Sequence, residues 1–383
     1  MNRAIGIAIA IAIAGCREKP STRTAPVLAK AGVLGAGWAA VSRHGASEIG
    51  AAGLATATAP ATEDTVFQAA SIGKPIIATC VMQLVEKKKL DLDADVSGYV
   101  GFDVKHPKHR EPITLRLLLS HRASIADHDD ELLARAESAT LGDFLRSYLV
   151  ESGAPRAKAY REEAPGVEIR YSNVGAALAA LAVERVSGAS FADVAEQRLF
   201  APLGMRSTSY KSTSARRATP HALRRDPSCA GAWKADCFTP LPPPSHAVYP
   251  VVDLHTSARD LSRFAAAVLR GGELDGARIL EQGSVRLMLA PVAGDGAGEQ
   301  ALGWQIRTIG GARVAGHEGE DAGATTAMFL DEGAGTGALV LANGDAFGSG
   351  DPARAAAISG FLGELFAAAR RSSSPPVSSA DAH

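Results

Sequence analysis

The sequence predicts an α+β protein with an antiparallel sheet built from its N- and C-terminal segments, flanking helices and an inserted, mostly helical lobe. Three observations lead to this class. Short alternating apolar segments, typical of strands, occur near both ends of the chain. The middle of the chain has apolar residues at helical spacing instead. With 383 residues, 46% of them hydrophobic, the chain can also bury a large core.

The predicted elements follow one another in a clear order. Two strands within residues 38–53 are joined by a turn at His44-Gly45, and further strands are expected within 302–309, 324–331 and 337–344. The predicted helices run from just after Ser71 to about Lys89, over 113–120, 141–150, 172–187 and 256–269, and from about Pro352 to Arg370. Residues 211–250 lose this periodicity and gather prolines, which predicts a long ordered excursion.

The first residues have the composition of an export signal. The uncharged run from Ala4 to Gly15 is too short to span a bilayer as a helix. Ile13-Ala14-Gly15-Cys16 resembles a bacterial lipobox, so we expect a signal peptide over 1–15, lipidation of Cys16, and a lipoprotein facing the periplasm or the exterior. The alternative is an ordinary signal cut after Ala14, which gives a soluble periplasmic or secreted protein. Residues 16–32 are then a tether, and residues 369–383 a disordered tail.

Export also bears on the remaining cysteines, because compartments outside the cytoplasm permit disulfides. Cys229 and Cys237 bracket a short loop, and we expect a bridge between them. Cys80 lies in an apolar run and is predicted to be a buried free thiol.

The balance of charge excludes some partners. Lys and Arg total 40 against 41 Asp and Glu, so no overall positive field attracts nucleic acid. His and Cys spacings match no metal-ligand pattern, and no glycine-rich phosphate loop is present. We therefore expect no nucleic-acid partner, no metal and no cofactor.

Three short motifs carry the chemistry. The first is Ser71-x-x-Lys74, a tetrad that arises about once by chance in a chain of this composition. A serine hydroxyl needs a neighbouring base to attack a carbonyl, and a lysine one helical turn away faces the same side. Tyr171-Ser172-Asn173 follows at the head of a predicted helix, and His317-Glu318-Gly319 follows an apparent strand.

These motifs, in this order, resemble those of the serine β-lactamase and penicillin-binding-protein superfamily, and Tyr171 points to its class C β-lactamase and esterase branch. LVEKKKLDLDADVSGYV, ITLRLLLSH and VSGASFADVAEQRLFAPLGM also look like that family. The resemblance implies a β-lactamase/transpeptidase-like fold and one catalytic domain over residues 33–368. Its α/β lobe is expected at 33–75 and 250–368, and its helical lobe at 76–249.

The same resemblance implies the site. Ser71 is the expected nucleophile, with Lys74 and Tyr171 as acid/base groups; which of the two takes the first proton is left open. Asn173, His317, Gly319 and Glu320 are the expected substrate-binding residues, and the backbone amides of Ser71 and Glu320 the expected oxyanion hole. His121 is predicted to have a structural role.

The third motif departs from the β-lactamase pattern. Family β-lactamases carry Lys-Thr-Gly or Lys-Ser-Gly, whose cation and hydroxyl hold a substrate carboxylate, whereas here the triplet is His-Glu-Gly, and Glu320 and Asp321 add further negative charge. The expectation is therefore a serine hydrolase that cleaves a small-molecule ester or amide. The alternatives are a true β-lactamase, or a DD-peptidase or D-aminopeptidase acting on cell-wall-type substrates, and less readily a non-catalytic penicillin-binding sensor.

Overall fold

The computed structural model describes residues 20–129, 132, 140–211, 214–224, 226–229, 233–243, 245–292 and 299–373. The predicted signal peptide, Cys16 and residues 374–383 of the predicted tail lie outside these ranges. Within them, no single helix is long and apolar enough to cross a membrane; one bent pair, Asn173–Ser187 with Phe191–Phe200, meets the length and composition required only when taken together.

An antiparallel sheet joins the two ends of the described chain. In chain order the strands are β1 Gly35–Ser42, β2 Gly45–Gly53, β3 Phe67–Gln68, β4 Val150–Glu151, β5 Ala154–Pro155, β6 His221–Leu223, β7 Phe238–Pro240, β8 His255–Thr256, β9 Glu273–Leu274, β10 Ala277–Arg278, β11 Glu299–Gln300, β12 Gln305–Ile309, β13 Ala312–Asp321, β14 Ala324–Asp331 and β15 Thr336–Ala342. Seven of them form the main sheet, in the order β11-β12-β13-β14-β15-β1-β2. The first strand therefore pairs with the last, with Trp38 opposite Val340, as the predicted fold class requires.

The helices, again in chain order, are α1 Pro20–Ala31, α2 Gly73–Glu86, α3 Ser97–Val100, α4 Leu115–Leu119, α5 Leu141–Leu149, α6 Asn173–Ser187, α7 Phe191–Ala195, α8 Tyr249–Val252, α9 Ala258–Leu269, α10 Gln282–Leu289 and α11 Pro352–Ser373. Most of the predicted helices are present within a few residues of their expected bounds. The α+β class, with helices between and around the two strand-forming ends, is confirmed.

The main sheet is apolar on both faces because alternate residues of each strand point to opposite sides. On one face Trp38, Phe329 and Val340 pack with α1 and α11, and Trp38 meets the Phe361 ring edge-on at 5.4 Å between centroids. On the other face Leu339 and its neighbours pack with α9 and the main core. Each large buried side chain contributes about 1.5 to 3 kcal/mol.

Two terminal segments differ from the sequence expectation. Residues 20–31, in the predicted tether, form helix α1, which packs against α11 and buries Leu28 and Ala31. Helix α11 continues to Ser373, past the predicted start of the disordered tail at residue 369, and Ala369 is fully buried. Both segments are ordered because they cover the same apolar sheet face, which sequence periodicity within each segment does not reveal.

Helix α2 is the central helix of the molecule. Every residue from Gly73 to Leu84 is buried, and the helix packs against α6 and α8. Ser172 caps α6 by accepting a hydrogen bond from the Gly175 amide, and Gly188 ends that helix in the left-handed conformation, at φ +70°. The helical lobe thus holds α2 with its N-terminus against the sheet.

The proline-rich excursion is tied down by a disulfide and a small hairpin. Cys229 and Cys237 are bonded, with their Cα atoms 5.6 Å apart, and β6 pairs with β7. Trp233 donates a hydrogen bond to the Leu34 carbonyl, 3.1 Å away, which attaches the excursion to the start of β1. Cys80 is a buried free thiol.

Candidate active site

Ser71 lies in a tight turn between β3 and α2. Residues Ala70–Ile72 form a 3₁₀ turn that runs directly into the helix. Ala70 has φ +47°, a left-handed conformation that costs a non-glycine residue about 1 to 2 kcal/mol. Such strain is typical of functional turns, and here it sets the direction in which the buried Ser71 side chain points.

Lys74 is one turn further along and is almost fully buried. Its Nζ lies 2.9 Å from Ser71 Oγ and 2.8 Å from Asn173 Oδ1. Burial lowers the pKa of Lys74 to about 7, and the nearby Asp127 carboxylate opposes part of that shift. Near neutral pH a large fraction of Lys74 is therefore an uncharged amine, able to accept a proton.

Tyr171 completes the contacts to the serine. Its hydroxyl donates to Ser71 Oγ over 2.9 Å, and Lys74 Nζ lies 4.5 Å from the centroid of its ring. Although 39% of the residue is exposed in the cleft, burial of its hydroxyl raises the pKa of Tyr171, and the hydrogen bond to Ser71 only partly offsets this. The phenol is thus a proton donor at neutral pH.

The carboxylate of Asp127 holds the start of helix α6. It accepts hydrogen bonds from Ser172 Oγ at 2.7 Å, the Asn173 amide at 2.5 Å and the Val174 amide at 3.2 Å. A carboxylate at a helix N-terminus satisfies free amides and interacts favourably with the helix dipole. Asp127 thereby orients Asn173 towards Lys74. Sequence reasoning missed it, because nothing in its local pattern points to a helix 45 residues later.

His121 supports the Tyr171 ring from behind. The two ring centroids are 4.5 Å apart, and His121 Nδ1 accepts a hydrogen bond from the Ser172 amide at 3.2 Å. Burial, together with the charge of Lys74, lowers the pKa of His121 to about 3, so the imidazole is neutral. It is buried, packs on the Tyr171 ring and also lines the cleft, and its structural role stays a prediction.

Strand β13 brings the third motif against the Ser71 turn. A Cβ on Gly319 would lie 2.7 Å from the Ala69 carbonyl oxygen and 3.1 Å from the Ser71 amide nitrogen, so only glycine allows this approach. Thr326, opposite Gly319 in β14, donates to the same Ala69 carbonyl at 2.8 Å. Glu320 follows immediately, so its backbone lies beside the Ser71 turn.

His317, which also lies in β13, is buried. Only 1% of the residue is exposed, its Nδ1 donates to the Glu318 carbonyl, and its ring centroid is 6.0 Å from that of Tyr171. Burial and the charge of Lys74 lower the pKa of His317, so it too is neutral. Asn173, Gly319 and Glu320 line the cleft, whereas His317 does not. That these residues bind the substrate stays a prediction.

Comparison with known proteins assigns this arrangement to a family. The family model described as Beta-lactamase matches residues 22–361. The chain belongs to the Beta-lactamase family. It is 32% identical to "Penicillin-binding protein 4" of Amycolatopsis lactamdurans over 74% of this chain and 73% of that protein. It is 34% identical to "Esterase EstB" of Burkholderia gladioli over 47% of this chain and 48% of that protein.

The fold is shared with solved structures of the same kind. The D-amino acid amidase of Ochrobactrum anthropi SV3 superposes with a TM-score of 0.70, covering 92% of this chain and 99% of its own, at 23% identity. That likeness establishes the fold alone. Membership of the Beta-lactamase family, with esterase and penicillin-binding relatives, makes this protein a serine hydrolase.

The cleft of this Beta-lactamase-family enzyme has a volume of about 940 Å³. Among the described residues, five carboxylates line it: Asp129, Glu318, Glu320, Asp321 and Asp345. Two arginines, Arg170 and Arg307, line it as well. Arg307 lies 3.9 Å from Glu318, and Arg170 bonds Glu168 at 2.7 Å. Burial, with the neighbouring Asp345 and Asp321 charges, raises the pKa of Glu320. Among the described residues, no group of three or more His, Cys, Asp and Glu side chains is arranged to hold a metal ion.

Proposed function

We propose that this serine hydrolase cleaves an ester or an amide through an acyl-enzyme on Ser71. One observation carries the proposal: Ser71 Oγ lies 2.9 Å from both a buried lysine amine and a protonated phenol. A nucleophile with a base and an acid in contact is the arrangement that acyl transfer needs. The names of the relatives, an esterase and a penicillin-binding protein, and of the structurally similar amidase, agree with acyl transfer.

The proposed mechanism gives each group one task. Neutral Lys74 accepts the Ser71 proton as Oγ bonds to the substrate carbonyl carbon, whose oxygen takes up the electron pair and becomes an oxyanion. The backbone amides of Ser71 and Glu320 hydrogen-bond that oxyanion, and each such donor contributes roughly 3 to 4 kcal/mol.

The electron pair of the oxyanion returns to the carbonyl carbon and the bond to the leaving group breaks, while Tyr171 protonates the leaving alkoxide or amine and regains a proton from Lys74. A water molecule then attacks the acyl carbon as the Lys74–Tyr171 pair takes up one of its protons. The acyl–Oγ bond breaks, and the pair returns that proton to Ser71 Oγ. Lys74 is the better first base because its pKa lies near 7, whereas that of Tyr171 is raised.

Wild type and Ser71→Ala, assayed with a substrate panel, test the proposal. Short-chain p-nitrophenyl esters, D-amino acid amides, D-alanyl peptides and nitrocefin cover the candidate classes. We expect turnover of esters or amides that Ser71→Ala loses by at least about 10³-fold, because the nucleophile has no substitute. Equal turnover by Ser71→Ala would refute the proposal.

The second candidate is a β-lactamase or a peptidase acting on cell-wall-type substrates. The observation that favours it is Arg307, a cation beside the third motif in the cleft, together with the 32% identity to a penicillin-binding protein. Such substrates carry a carboxylate, and we propose that Arg307 receives it.

Glu318→Gln tests whether Arg307 receives a substrate carboxylate, as the second candidate requires. The change frees Arg307 from its 3.9 Å pairing and removes one negative charge from the cleft. We expect nitrocefin turnover to rise relative to p-nitrophenyl butyrate by about three- to fivefold, a modest gain because both side chains are well exposed. Arg307→Gln is the matched control and should lower the same ratio. An unchanged ratio in both variants would mean that neither side chain meets the substrate carboxylate.

We further propose that the enzyme is exported and anchored through lipid on Cys16. The support is the lipobox-like Ile13-Ala14-Gly15-Cys16 at the end of an uncharged N-terminal run. Labelled palmitate should be incorporated into the wild type but not into Cys16→Ser. Recovery of the unaltered protein, without label, in the soluble fraction would favour the ordinary secretory signal.

A further inference from the structure

We infer that His246 is a positioning residue for the oxyanion hole: it bridges Asp253 and Asp321 and so fixes the residue that follows Glu320. The inference rests on the proposed function, because it concerns the step in which negative charge develops beside the Glu320 amide. His246 lies outside every motif of the sequence, in the proline-rich excursion, and it lines the catalytic cleft.

The bridge joins three nearly buried side chains through one short hydrogen bond and one longer ion pair. His246 Nδ1 lies 2.6 Å from Asp253 Oδ1, and the His246 amide donates to Asp253 Oδ2 at 3.1 Å. On the other side of the ring, Nε2 lies 3.5 Å from Asp321 Oδ2. The three side chains are only 5%, 12% and 10% exposed, so solvent screens these contacts weakly.

Asp321 also contacts the chain that leads into the nucleophile. Gln68 Nε2 donates to Asp321 Oδ2 at 2.5 Å, and Gln68 is three residues before Ser71. Asp321 is the last residue of β13 and directly follows Glu320. One carboxylate therefore links the segments that carry the two proposed oxyanion-hole amides, and His246 holds that carboxylate in place.

The charge of His246 matters as much as its contacts. Burial by itself lowers the pKa of His246, but the hydrogen bonds and charges of Asp253 and Asp321 outweigh it and raise the pKa to about 10. His246 is therefore a cation at neutral pH. It offsets carboxylates that would otherwise oppose an oxyanion at the Glu320 amide.

Other charged groups near the bridge belong to neighbouring elements. Glu320 and Asp345 add negative charge beside Asp321, and Arg354 partly offsets Asp345. Arg217 is within electrostatic range of Asp253. Among the described residues, His246 is thus the cation in direct contact with Asp321, and its loss leaves that carboxylate next to two others.

The test uses His246→Gln, Asp321→Asn and the double variant in the full-length enzyme. The readouts are kcat and KM for a neutral aryl ester, the rate of Ser71 labelling by an uncharged fluorophosphonate, and Tm. We expect His246→Gln to lower kcat and the labelling rate by about tenfold or more, with KM changed less than about threefold. The double variant should recover the part of the loss that is due to charge, although it does not restore the bridge. The amide oxygen that replaces the Asp321 carboxylate still accepts a hydrogen bond from Gln68, while the uncompensated charge is gone.

His106→Gln is the matched control. His106 is also buried and bonded to a backbone carbonyl, at Arg161, but it does not line the cleft. It should leave kcat unchanged. A loss in His246→Gln that Asp321→Asn does not rescue, or that merely follows Tm, would overturn the inference in favour of plain packing.

If His246→Gln does not fold, Asp253→Asn gives a second test. Removing the Asp253 carboxylate lowers the pKa of His246, because the carboxylate stabilises the protonated imidazole. The fall in kcat at alkaline pH should therefore begin at a lower pH in this variant than in wild type. An unshifted alkaline limb would contradict the inference. Failure of the proposed function is distinguishable, since the wild type itself would then carry no label on Ser71.

Discussion

Lys74 is the residue on which the proposed chemistry depends most. Its pKa depends on burial and on the nearby Asp127 carboxylate. Burial moves the lysine pKa down to about 7, while the Asp127 carboxylate acts in the opposite direction. These two effects oppose each other and leave the pKa of the Lys74 amine near neutral pH, where a general base works best.

Asp127→Asn should shift this balance. Without the carboxylate the pKa of Lys74 falls further, so the acidic limb of the pH profile of kcat/KM should move to lower pH. The amide can still cap α6 in part, so the expected cost in unfolding free energy is about 1 kcal/mol. Stopped-flow ester hydrolysis between pH 5 and 9 measures the limb. A limb that stays in place would mean that Lys74 is not the group being titrated.

Lys74→Met should abolish activity and stabilise the protein at low pH. Because the native pKa of Lys74 lies below the unfolded value, the unfolded chain binds more protons between about pH 7 and 10, so wild-type stability rises with pH over that window. Below about pH 7 the native state contains Lys74 as a buried cation, and the free energy of desolvating that charge destabilises the fold in full. We expect Lys74→Met to gain about 1 to 3 kcal/mol at pH 6, and less at pH 9, by urea unfolding. A loss of stability at both pH values would contradict this.

The sequence indicates the proposed catalytic residues more clearly than the residues that position them. Ser71, Lys74, Tyr171 and Asn173 fall in ordered motifs, and the structure brings all four together. Asp127 and His246 act through contacts with residues far along the chain, which leave no local pattern. The motif also predicts His317 at the substrate; its ring is buried beside Tyr171 and does not line the cleft, and its substrate-binding role stays a prediction.

At the scale of elements, the approach of β13 to the Ser71 turn shapes the site. Gly319 lies against backbone atoms of Ala69 and Ser71, and these cannot move without disturbing the strained Ala70. The proposed oxyanion hole therefore depends on Gly319, because a side chain at this position would separate β13 from the Ser71 turn.

Gly319→Ala should separate the strand from the turn. Its Cβ would meet the Ala69 carbonyl at 2.7 Å, and a displacement of even 1 Å in a catalytic group lowers the rate by about 10²-fold. We expect that loss in kcat, with Tm lowered by only a few degrees. Gly360→Ala is the control: a Cβ there, in helix α11, meets no atom within 4 Å, so activity should be unchanged. Full activity in Gly319→Ala would contradict the geometry.

The sequence predicts best those helices and strands whose own residues show a clear hydrophobic periodicity. The β1–β2 hairpin, α6 and β14 have clear periodicity, and the structure has them close to the expected bounds. The sequence pattern does not predict helix α10, which has a glycine at its second position, and α1 lies in the expected tether. Both are short or weakly patterned helices whose order comes from the surfaces they cover.

For the whole molecule, the two ends of the chain build the sheet and the middle builds the lobe that carries Tyr171 and Asn173. The site lies where they meet: Ser71 and Lys74 come from the start of α2, Asn173 from α6, and Glu320 from β13. The sequence predicts this division because strand patterns flank a helical middle. The sequence indicates only the negative charge near the third motif. The other two cleft carboxylates, Asp129 and Asp345, belong to segments distant from that motif in the chain.

The central claim is that Ser71 is a nucleophile activated by Lys74, and covalent labelling of Ser71 as a function of pH tests it most directly. A fluorophosphonate should add one label per chain, and peptide mapping should place it on residues 67–75. The labelling rate should rise with pH through a midpoint near 7, as Lys74 loses its proton. A label on another residue, no label under conditions that support turnover, or a rate independent of pH between 5 and 9 would contradict the account.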